Sequence, residues 1–222
     1  MHFLRKIKRI VDKILETKSD ELFWKFCHFF DRNWSKRYIS NDSLNHPHRK
    51  LLIKEIIDFY PFKNVLEVGC ASGPNLYLLA KKFSDVSFYG IDVSKNAINE
   101  GENFFLKKGL KNVFLQTLTA SQLEKFASKN MDIVFTDAAI IYVGQDQIER
   151  VFREIVRIAK KAIILCEQHT DGKSFYDDKW VHNYKEIVNK NAPQANINFI
   201  KIPENIWGGD WGKYGYIITV KL

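Results

Sequence analysis

The chain has 222 residues, of which 45% are hydrophobic, and its formal net charge is +8. This length and this apolar content suit one domain with a single core. No uninterrupted apolar run reaches the roughly 20 residues that a membrane-spanning helix needs, and the three scattered cysteines have neither disulfide nor metal-site spacing. The composition therefore argues against a secreted or membrane-spanning protein and predicts a cytoplasmic one.

The N-terminal segment carries most of the positive charge. Residues 1–50 contain twelve Lys or Arg against six Asp or Glu. Within residues 1–18 apolar side chains recur at helical spacing between basic ones, which predicts a basic amphipathic helix. Such a helix either makes a peripheral contact with the inner membrane face or packs on its own domain or on a second subunit. A second predicted helix, 19–38, is rich in aromatic residues, and we divide the chain into an N-terminal helical extension, 1–45, and one domain, 46–222.

From residue 46 onwards, strand patterns alternate with helix patterns. The predicted strands are 65–68, 87–91, 113–116, 132–136, 162–166, 196–202 and 216–222. The predicted helices are 46–60, 74–83, 95–108, 121–127, 146–159 and 179–190. This alternation predicts an α/β fold, a doubly wound and mostly parallel sheet of seven strands with helices on both faces, in which the last strand runs antiparallel.

Residues 65–73, VLEVGCASG, form the most informative pattern, a buried strand followed by a turn that opens a helix. Gly69 and Gly73 let the backbone turn sharply and approach a ligand closely. The free N–H groups at the start of the helix favour a carboxylate. Asp92 ends the next strand, where a carboxylate accepts hydrogen bonds from both hydroxyls of a ribose. The pattern predicts a nucleotide-binding βαβ unit.

The same turn separates two classes of nucleotide. A dinucleotide site needs the pattern G-x-G-x-x-G, in which the second glycine makes room for a pyrophosphate. Ala71 fills that position here, and Glu67 stands two residues before the first glycine, where it would repel a pyrophosphate. S-adenosylmethionine (SAM) carries an ammonium and a sulfonium group instead, which a nearby carboxylate suits. The turn therefore favours SAM over a nicotinamide cofactor.

With these motifs, residues 46–222 resemble the class I SAM-dependent methyltransferases, whose fold is Rossmann-like. VLEVGCASG resembles their first motif, and GIDVS, at 90–94, resembles their acidic motif at the end of the second strand. The resemblance implies that SAM is held by Glu67, Gly69, Cys70, Ala71, Gly73, Asp92, Val93 and Asp137. It also implies that Thr119 and Ala120 contact the adenine, although Thr119 departs from the Asp that the family often has there.

The segment 34–49 resembles the helical lid that precedes the core in bacterial small-molecule methyltransferases. This resemblance implies that Trp34, Tyr38 and Arg49 touch the methionine end of SAM. The alternative is that Trp34 and Tyr38 only pack the lid.

The candidate groups for chemistry at the acceptor lie at the ends of the fourth and fifth strands. Methyl transfer needs an aligned acceptor, and it needs a general base only when that acceptor loses a proton. Asp137 either orients an acceptor hydroxyl or amine or is a capping or loop carboxylate. His169 is the favoured base because imidazole titrates near neutrality, and His182, expected on the helix 179–190, is the alternative. The alternative is that neither histidine has a role in catalysis. We expect no metal ion at Asp137, Glu167 and His169.

The segment 207–215 is expected to be a flexible connection whose aromatic side chains either line an acceptor pocket or cover the edge of the sheet. The Asp-Pro-Pro-Tyr and Pro-Cys motifs of nucleic acid base methylases are absent from the sequence. We therefore predict a SAM-dependent methyltransferase that acts on a small-molecule acceptor, for example a hydroxyl of a sugar or lipid-linked intermediate. The alternatives are an RNA or protein methyltransferase that uses the basic N-terminus, and a SAM-binding protein without catalysis. An oligomer is compatible with each of them.

Overall fold

The computed structural model describes residues 33–172, 175–176 and 179–222. The predicted amphipathic helix 1–18 and most of the predicted helix 19–38 lie outside these residues, and so does most of the extension 1–45. The division into 1–45 and 46–222 thus stays a prediction. Within the described ranges, no helix is both long and apolar enough to cross a membrane.

Three helices precede the sheet. They are α1 (Trp34–Tyr38), α2 (Asn41–Leu44) and α3 (Pro47–Ile57). The short helix α2 forms because Ser40 caps it by accepting a hydrogen bond from the N–H of Ser43. Pro47 occupies the first turn of α3, where its missing N–H costs nothing.

The main sheet has seven strands in the order β3-β2-β1-β4-β5-β9-β8. They are β1 (Asn64–Val68), β2 (Ser87–Asp92), β3 (Val113–Thr117), β4 (Met131–Asp137), β5 (Ala159–Gln168), β8 (Asn196–Lys201) and β9 (Gly215–Lys221), while β6 (Phe175–Tyr176) and β7 (Trp180–Val181) form a separate short ribbon. Strands β1 to β5 pair in parallel, and β9 is inserted antiparallel between β5 and β8. The predicted fold class is confirmed.

Helices cover both faces of the sheet. The remaining ones are α4 (Pro74–Ala80), α5 (Lys95–Lys107), α6 (Ile148–Ile158), α7 (Tyr184–Asn191) and α8 (Asp210–Tyr214), with 3₁₀ turns at Ala120–Lys125 and Ile140–Tyr142. One buried cluster joins α6 and α7 to the sheet, and a second joins α3, α4, α5 and α8 to its other face. The pattern of α6 shows why it is a helix, since its buried side chains recur every three or four residues: Ile148, Val151, Phe152, Ile155 and Ile158.

Two segments differ from the prediction. The predicted helix 179–190 is wrong at its start, because Trp180 and Val181 form the strand β7, which pairs with β6. The helix begins only at Tyr184, where the side chain of Asn183 accepts a hydrogen bond from the N–H of Glu186. The connection expected to be flexible over 207–215 contains the helix α8.

Candidate functional site

The register of the sheet brings three functional residues to one edge. Val68, the last residue of β1, pairs with Ile91 of β2 and with Thr136 of β4. The residues that follow them are Gly69, Asp92 and Asp137, which therefore meet at the carboxyl ends of adjacent strands. The order of the strands reverses at β1 and β4, and open α/β sheets bind ligands at such a point.

A cavity of about 810 Å³ lies at this edge. Ten of the residues predicted to bind the cofactor line it: Trp34, Tyr38, Arg49, Gly69, Ala71, Asp92, Val93, Thr119, Ala120 and Asp137. Five other predicted site residues are not among the lining residues: Glu67, Cys70, Gly73, His169 and His182. The structure thus brings together most of the predicted cofactor residues but neither of the two predicted histidine bases.

The turn after β1 has a left-handed backbone at three positions. Gly69, Ala71 and Gly73 have φ angles of 77°, 49° and 76°. A Cβ atom on Gly69 would lie 2.3 Å from the Cβ of Ala139, so no larger residue fits there. A Cβ atom on Gly73 would lie 2.7 Å from the ring of Phe105. The turn is therefore a narrow backbone cradle. Gly73 contributes to it through its close packing against Phe105 and does not itself line the cavity.

Asp92 closes this turn against the end of β2. Its Oδ2 accepts a hydrogen bond of 2.8 Å from the N–H of Ala71, and its Oδ1 accepts one of 2.8 Å from the N–H of Ser94. Burial raises the pKa of Asp92 to about 6, although these two N–H groups oppose the shift. Each carboxylate oxygen can accept further hydrogen bonds, and Asp92 lines the cavity. The residue is placed to receive hydroxyl donors from a ligand.

A buried polar cluster lies next to the cradle. Asn75 donates to Oε1 of Glu67 (2.7 Å) and to Oδ2 of Asp137 (2.9 Å). Arg49 Nη1 donates to Oδ1 of Asn75 (2.7 Å) and to Oδ2 of Asp137 (2.9 Å). Burial alone would raise the pKa of Asp137, but His48 and Arg49 beside it hold that pKa well below its usual range. Asp137 is therefore ionised at neutral pH, and it belongs to a buried hydrogen-bonded network.

Besides Oδ1 of Asp137, which also lacks a hydrogen-bond partner among the described residues, Glu67 carries an unpaired buried atom in this cluster. Its Oε2 is buried and has no hydrogen-bond partner among the residues that the structure describes. Burial raises its pKa well above the usual value, against the hydrogen bond from Asn75. An unsatisfied buried polar atom costs free energy, so a cationic ligand group at this place would be stabilised.

The lid is joined to the cradle through its backbone. The hydroxyl of Ser72 in the cradle donates to the carbonyl oxygen of Ser35 in α1 (2.8 Å). Trp34 and Tyr38 pack edge to face, with ring centroids 4.3 Å apart, and both line the cavity. Burial, together with the charges of Asp92 and Asp137, raises the pKa of Tyr38, so its phenol stays protonated. These aromatic residues pack within the lid and also face the ligand space.

The segment after β3 forms the opposite wall of the cavity. Thr119 and Ala120 begin a 3₁₀ turn, which is stabilised by the hydrogen bond from the N–H of Thr119 to the side chain of Gln122 (3.1 Å). Leu118 and Val93 line the same wall. The wall is mainly apolar, as a flat heterocyclic ring requires.

Two cavity-lining histidines were missed as candidates by the sequence analysis. His48 Nε2 lies 3.1 Å from Oδ2 of Asp137, and the Nδ1 atoms of His46 and His48 are in hydrogen-bond contact. Burial, with His48 and Arg49 nearby, lowers the pKa of His46. The pattern of two histidines beside Arg49 at a helix start was visible in the sequence, but it gave no hint of Asp137, which is 89 residues away from His48.

Two tryptophans form the wall beside these histidines. The rings of Trp207 and Trp211 are stacked 4.0 Å apart at an angle of 9°, and both residues line the cavity. Trp207 also lies 4.3 Å from the ring of His48 and 5.4 Å from that of His46. Of the two interpretations of the segment 207–215, the structure therefore supports the pocket wall. Trp207 precedes α8 whereas Trp211 lies within it, so their stacking depends on the path of the connection and not on one helical face.

The two predicted bases point elsewhere. His182 is fully buried, and its Nε2 donates to the carbonyl oxygen of Val143 (2.9 Å). Nδ1 of His169 accepts from the N–H of Tyr184 (3.2 Å). Burial lowers both pKa values, that of His182 to about 4. The two residues form a β-bridge with each other, so the structure gives them a role in packing the end of β5.

Glu167 does not converge with Asp137 and His169 on a metal site. Its two carboxylate oxygens accept hydrogen bonds from the N–H groups of Ala139, Ile140 and Ile141, which fixes the loop after β4. Among the described residues, no three His, Cys, Asp or Glu side chains could jointly hold a metal ion.

The two described cysteines, Cys70 and Cys166, are free and buried. Burial raises the pKa of each, so both stay thiols.

Comparison with known proteins identifies the domain that surrounds this site. The model of a methyltransferase domain family matches residues 65–162, which include the cradle, Asp92 and Asp137. A probable RNA methyltransferase of Arabidopsis thaliana is 33% identical over 101 residues, or 46% of this chain. The chain spans 30% of the length of that relative.

Solved structures share the fold over most of the chain. A SAM-dependent methyltransferase from Aquifex aeolicus has a TM-score of 0.62 and 19% identity, covering 86% of this chain and 98% of its own. The magnesium protoporphyrin IX methyltransferase of Synechocystis PCC 6803, solved with bound SAM, has a TM-score of 0.64 and 16% identity, covering 91% of this chain and 96% of its own. At sequence identities this low, the similarity shows a shared fold and nothing more specific.

Proposed function

We propose that the chain is a class I SAM-dependent methyltransferase, since a methyltransferase-domain family matches residues 65–162, and that it transfers a methyl group from SAM to a small-molecule acceptor. The observation that carries the proposal is the cavity at the strand reversal, which joins the cradle, Asp92 and the polar cluster to a second end walled by aromatic residues. Its volume of about 810 Å³ lies in the upper part of the range of about 300–1,000 Å³ for small-ligand sites. A cofactor and a small acceptor fit together in such a space.

The residues at the cradle suit SAM on three separate grounds. Gly69 lines the cavity without a side chain, since a Cβ atom there would collide with Ala139, so a ligand can approach the backbone of the turn closely. Glu67 offers a buried oxygen that lacks a donor, and the ammonium group of SAM is such a donor. Asp92 offers carboxylate lone pairs at the place where a ribose would lie.

Six of the predicted cofactor residues then have a definite task. Asp92 would accept hydrogen bonds from the ribose hydroxyls, and the wall at Thr119 and Ala120 would face the adenine. Arg49, with Trp34 and Tyr38 above it, would hold the methionine end. When bound, SAM supplies an electrophilic methyl group on its sulfonium sulfur. The lid residues would exclude water from that group.

The aromatic end of the cavity supports a small molecule as the acceptor. Trp207 and Trp211 form a stacked pair beside His46 and His48, and Tyr142 lies on the same cavity surface. A flat or partly apolar molecule that carries a reactive group suits this composition. The resemblance to bacterial small-molecule methyltransferases favours a hydroxyl of a sugar or of a lipid-linked intermediate, in the cytoplasm or at the inner membrane face.

One relative supports a second candidate, an RNA methyltransferase. The Arabidopsis thaliana protein is described as a probable RNA methyltransferase, and the basic residues 1–50 would attract phosphate. Salt-sensitive RNA binding that disappears when residues 1–18 are deleted would favour this candidate over a small-molecule acceptor.

The proposal is tested by calorimetry and by turnover. The purified chain should bind S-adenosylhomocysteine (SAH), the demethylated product, and should give no heat with NADH. Incubation with SAM and a panel of small phenols, alcohols and amines should release SAH. Binding without release under any condition would leave a SAM-binding protein without catalysis, and heat with NADH alone would refute the cofactor assignment.

A further inference from the structure

Three titratable side chains form a continuous chain at the acceptor end of the cavity. Asp137 Oδ2 lies 3.1 Å from His48 Nε2, and His48 Nδ1 is in contact with His46 Nδ1. Both histidines line the cavity. His48 is buried, whereas His46, the last of the three side chains, is partly exposed.

The carboxylate fixes the hydrogen on the ring that faces it. Asp137 is ionised, because His48 and Arg49 hold its pKa well below the usual range against burial. An ionised carboxylate only accepts, so Nε2 of His48 carries the hydrogen of that contact. The contact between the two Nδ1 atoms needs one further hydrogen, and with that hydrogen on His46, Nδ1 of His48 is the acceptor. Nε2 of His46 is left with an unshared electron pair.

We propose that Nε2 of His46 is the general base of this enzyme, that His48 and Asp137 are the positioning residues behind it, and that the acceptor is therefore a hydroxyl compound. The inference rests on the proposed methyltransferase function and adds to it the class of the acceptor group. A hydroxyl group loses a proton as it is methylated, and a placed base speeds that loss. An amine that is already neutral has less need of such a base.

The proton transfer balances without a further reactant. The O–H bond of the acceptor breaks, and its proton forms an N–H bond at Nε2 of His46. The electron pair stays on the oxygen and forms the new O–CH₃ bond, while the pair of the broken S–CH₃ bond remains on the sulfur. His46 becomes an imidazolium, which the carboxylate of Asp137 stabilises through His48, and it then releases the proton to water.

The surroundings keep His46 ready to accept. The titratable or charged groups that face it are His48, Arg49 and Asp137. Burial, followed by His48 and Arg49, lowers the pKa of His46, whereas Asp137 raises it, and the net shift is downward. His46 is therefore neutral at pH 7. The ring of Trp207 lies 5.4 Å from that of His46, within the distance at which an aromatic ring attracts a cation such as the imidazolium that forms.

Nitrogen-15 NMR of the imidazole rings of the full chain, with and without SAH, tests the tautomers directly. At pH 7 we expect His48 to carry its hydrogen on Nε2 and His46 to carry it on Nδ1. His182 is the internal reference, since its contact with the carbonyl oxygen of Val143 requires hydrogen on Nε2. In the His48→Gln variant, His46 should gain the Nε2–H form. Hydrogen on Nε2 of His46 in the unaltered protein would overturn the proposal.

Turnover of the same panel of phenols, alcohols and amines gives a second, separate test. His46→Gln should lower kcat for hydroxyl compounds by about 100-fold or more, while the affinity for SAH in calorimetry stays within about twofold. At saturating SAM, kcat of the unaltered enzyme should fall between pH 7 and pH 5, and that of the variant should not. Turnover of hydroxyl compounds at full rate by His46→Gln would overturn the inference, and so would an unaltered enzyme that methylates amines alone. Absence of SAH binding in the unaltered protein would instead refute the proposed function.

Discussion

Asp92→Asn gives the sharpest test of the cofactor site. The change replaces one carboxylate oxygen by an NH₂ group. Either orientation of the amide turns a donor towards the N–H of Ala71 or that of Ser94, so one of the two 2.8 Å hydrogen bonds is lost. The negative charge that would receive the ribose hydroxyls is lost as well.

The expected effect follows from the value of a hydrogen bond to a charged group, about 1.5–3 kcal/mol. This corresponds to a rise of roughly 10- to 150-fold in the Kd for SAH. Calorimetry measures the Kd, and thermal unfolding followed by circular dichroism shows whether the variant is folded. Asp85→Asn is the matched control, because Asp85 is exposed and pairs with Lys63 at the surface. A folded Asp92→Asn variant that binds SAH as tightly as Asp85→Asn would show that the ribose is held elsewhere.

The same residue predicts a pH dependence. Since the pKa of Asp92 is raised to about 6, the carboxylate that accepts the ribose hydroxyls is lost as the pH falls through 6. SAH should therefore bind about tenfold more weakly at pH 5 than at pH 7.5. Glu67, whose pKa is also raised, should weaken SAH binding at low pH in the same direction. The difference between the unaltered protein and Asp92→Asn thus reports Asp92, and identical slopes would contradict the assignment.

Three further substitutions test the cradle, the cluster and the loop. Gly69→Ala places an alanine in a left-handed backbone conformation and 2.3 Å from Ala139. The free energy of unfolding should therefore fall by about 2 kcal/mol or more, and SAH binding should be abolished. The control Gly109→Ala, with φ of 69° but nothing within 4 Å of the new Cβ atom, should lower the melting temperature less. Arg49→Lys cannot reproduce the buried forked contacts of the guanidinium, so the Kd for SAH should rise by about tenfold, and an unchanged Kd would remove Arg49 from the site. Glu167 has a pKa raised by burial to about 7, so the native state holds an extra proton between about pH 4.5 and 7, and the free energy of unfolding should fall as the pH rises through this window. In urea titrations, the free energy of unfolding should fall less between pH 5 and pH 7.5 in Glu167→Gln than in the unaltered protein. An equal fall in both proteins would show that other groups cause the pH dependence.

The fold, and the meeting of the proposed cofactor residues at one edge of the sheet, could be predicted because their signals are local. The order of strands and helices follows from periodicity, and the cradle follows from Gly69, Gly73 and the alanine between them. Asp92 is only one strand further along the chain, and its register with β1 follows from the parallel sheet.

The acceptor end could not be predicted because its contacts are distant in sequence. His48 meets Asp137 across 89 residues, and no local pattern indicates that pairing. His169 was chosen for its position at a strand end, but the side to which a strand-end residue points depends on packing against Tyr184. The same packing explains why the helix predicted from residue 179 begins only at Tyr184, after β7 has formed.

The insertion of β9 between β5 and β8 has a consequence for synthesis of the chain. During translation β8 leaves the ribosome first, but the neighbour to which it hydrogen-bonds in the main sheet is β9, which follows it. Until residues 215–221 have emerged, β5 presents an open edge to other nascent chains. Ribosomes that stall within the preceding connection would therefore produce fragments that self-associate, and we expect such fragments to depend on chaperones far more than the finished chain does.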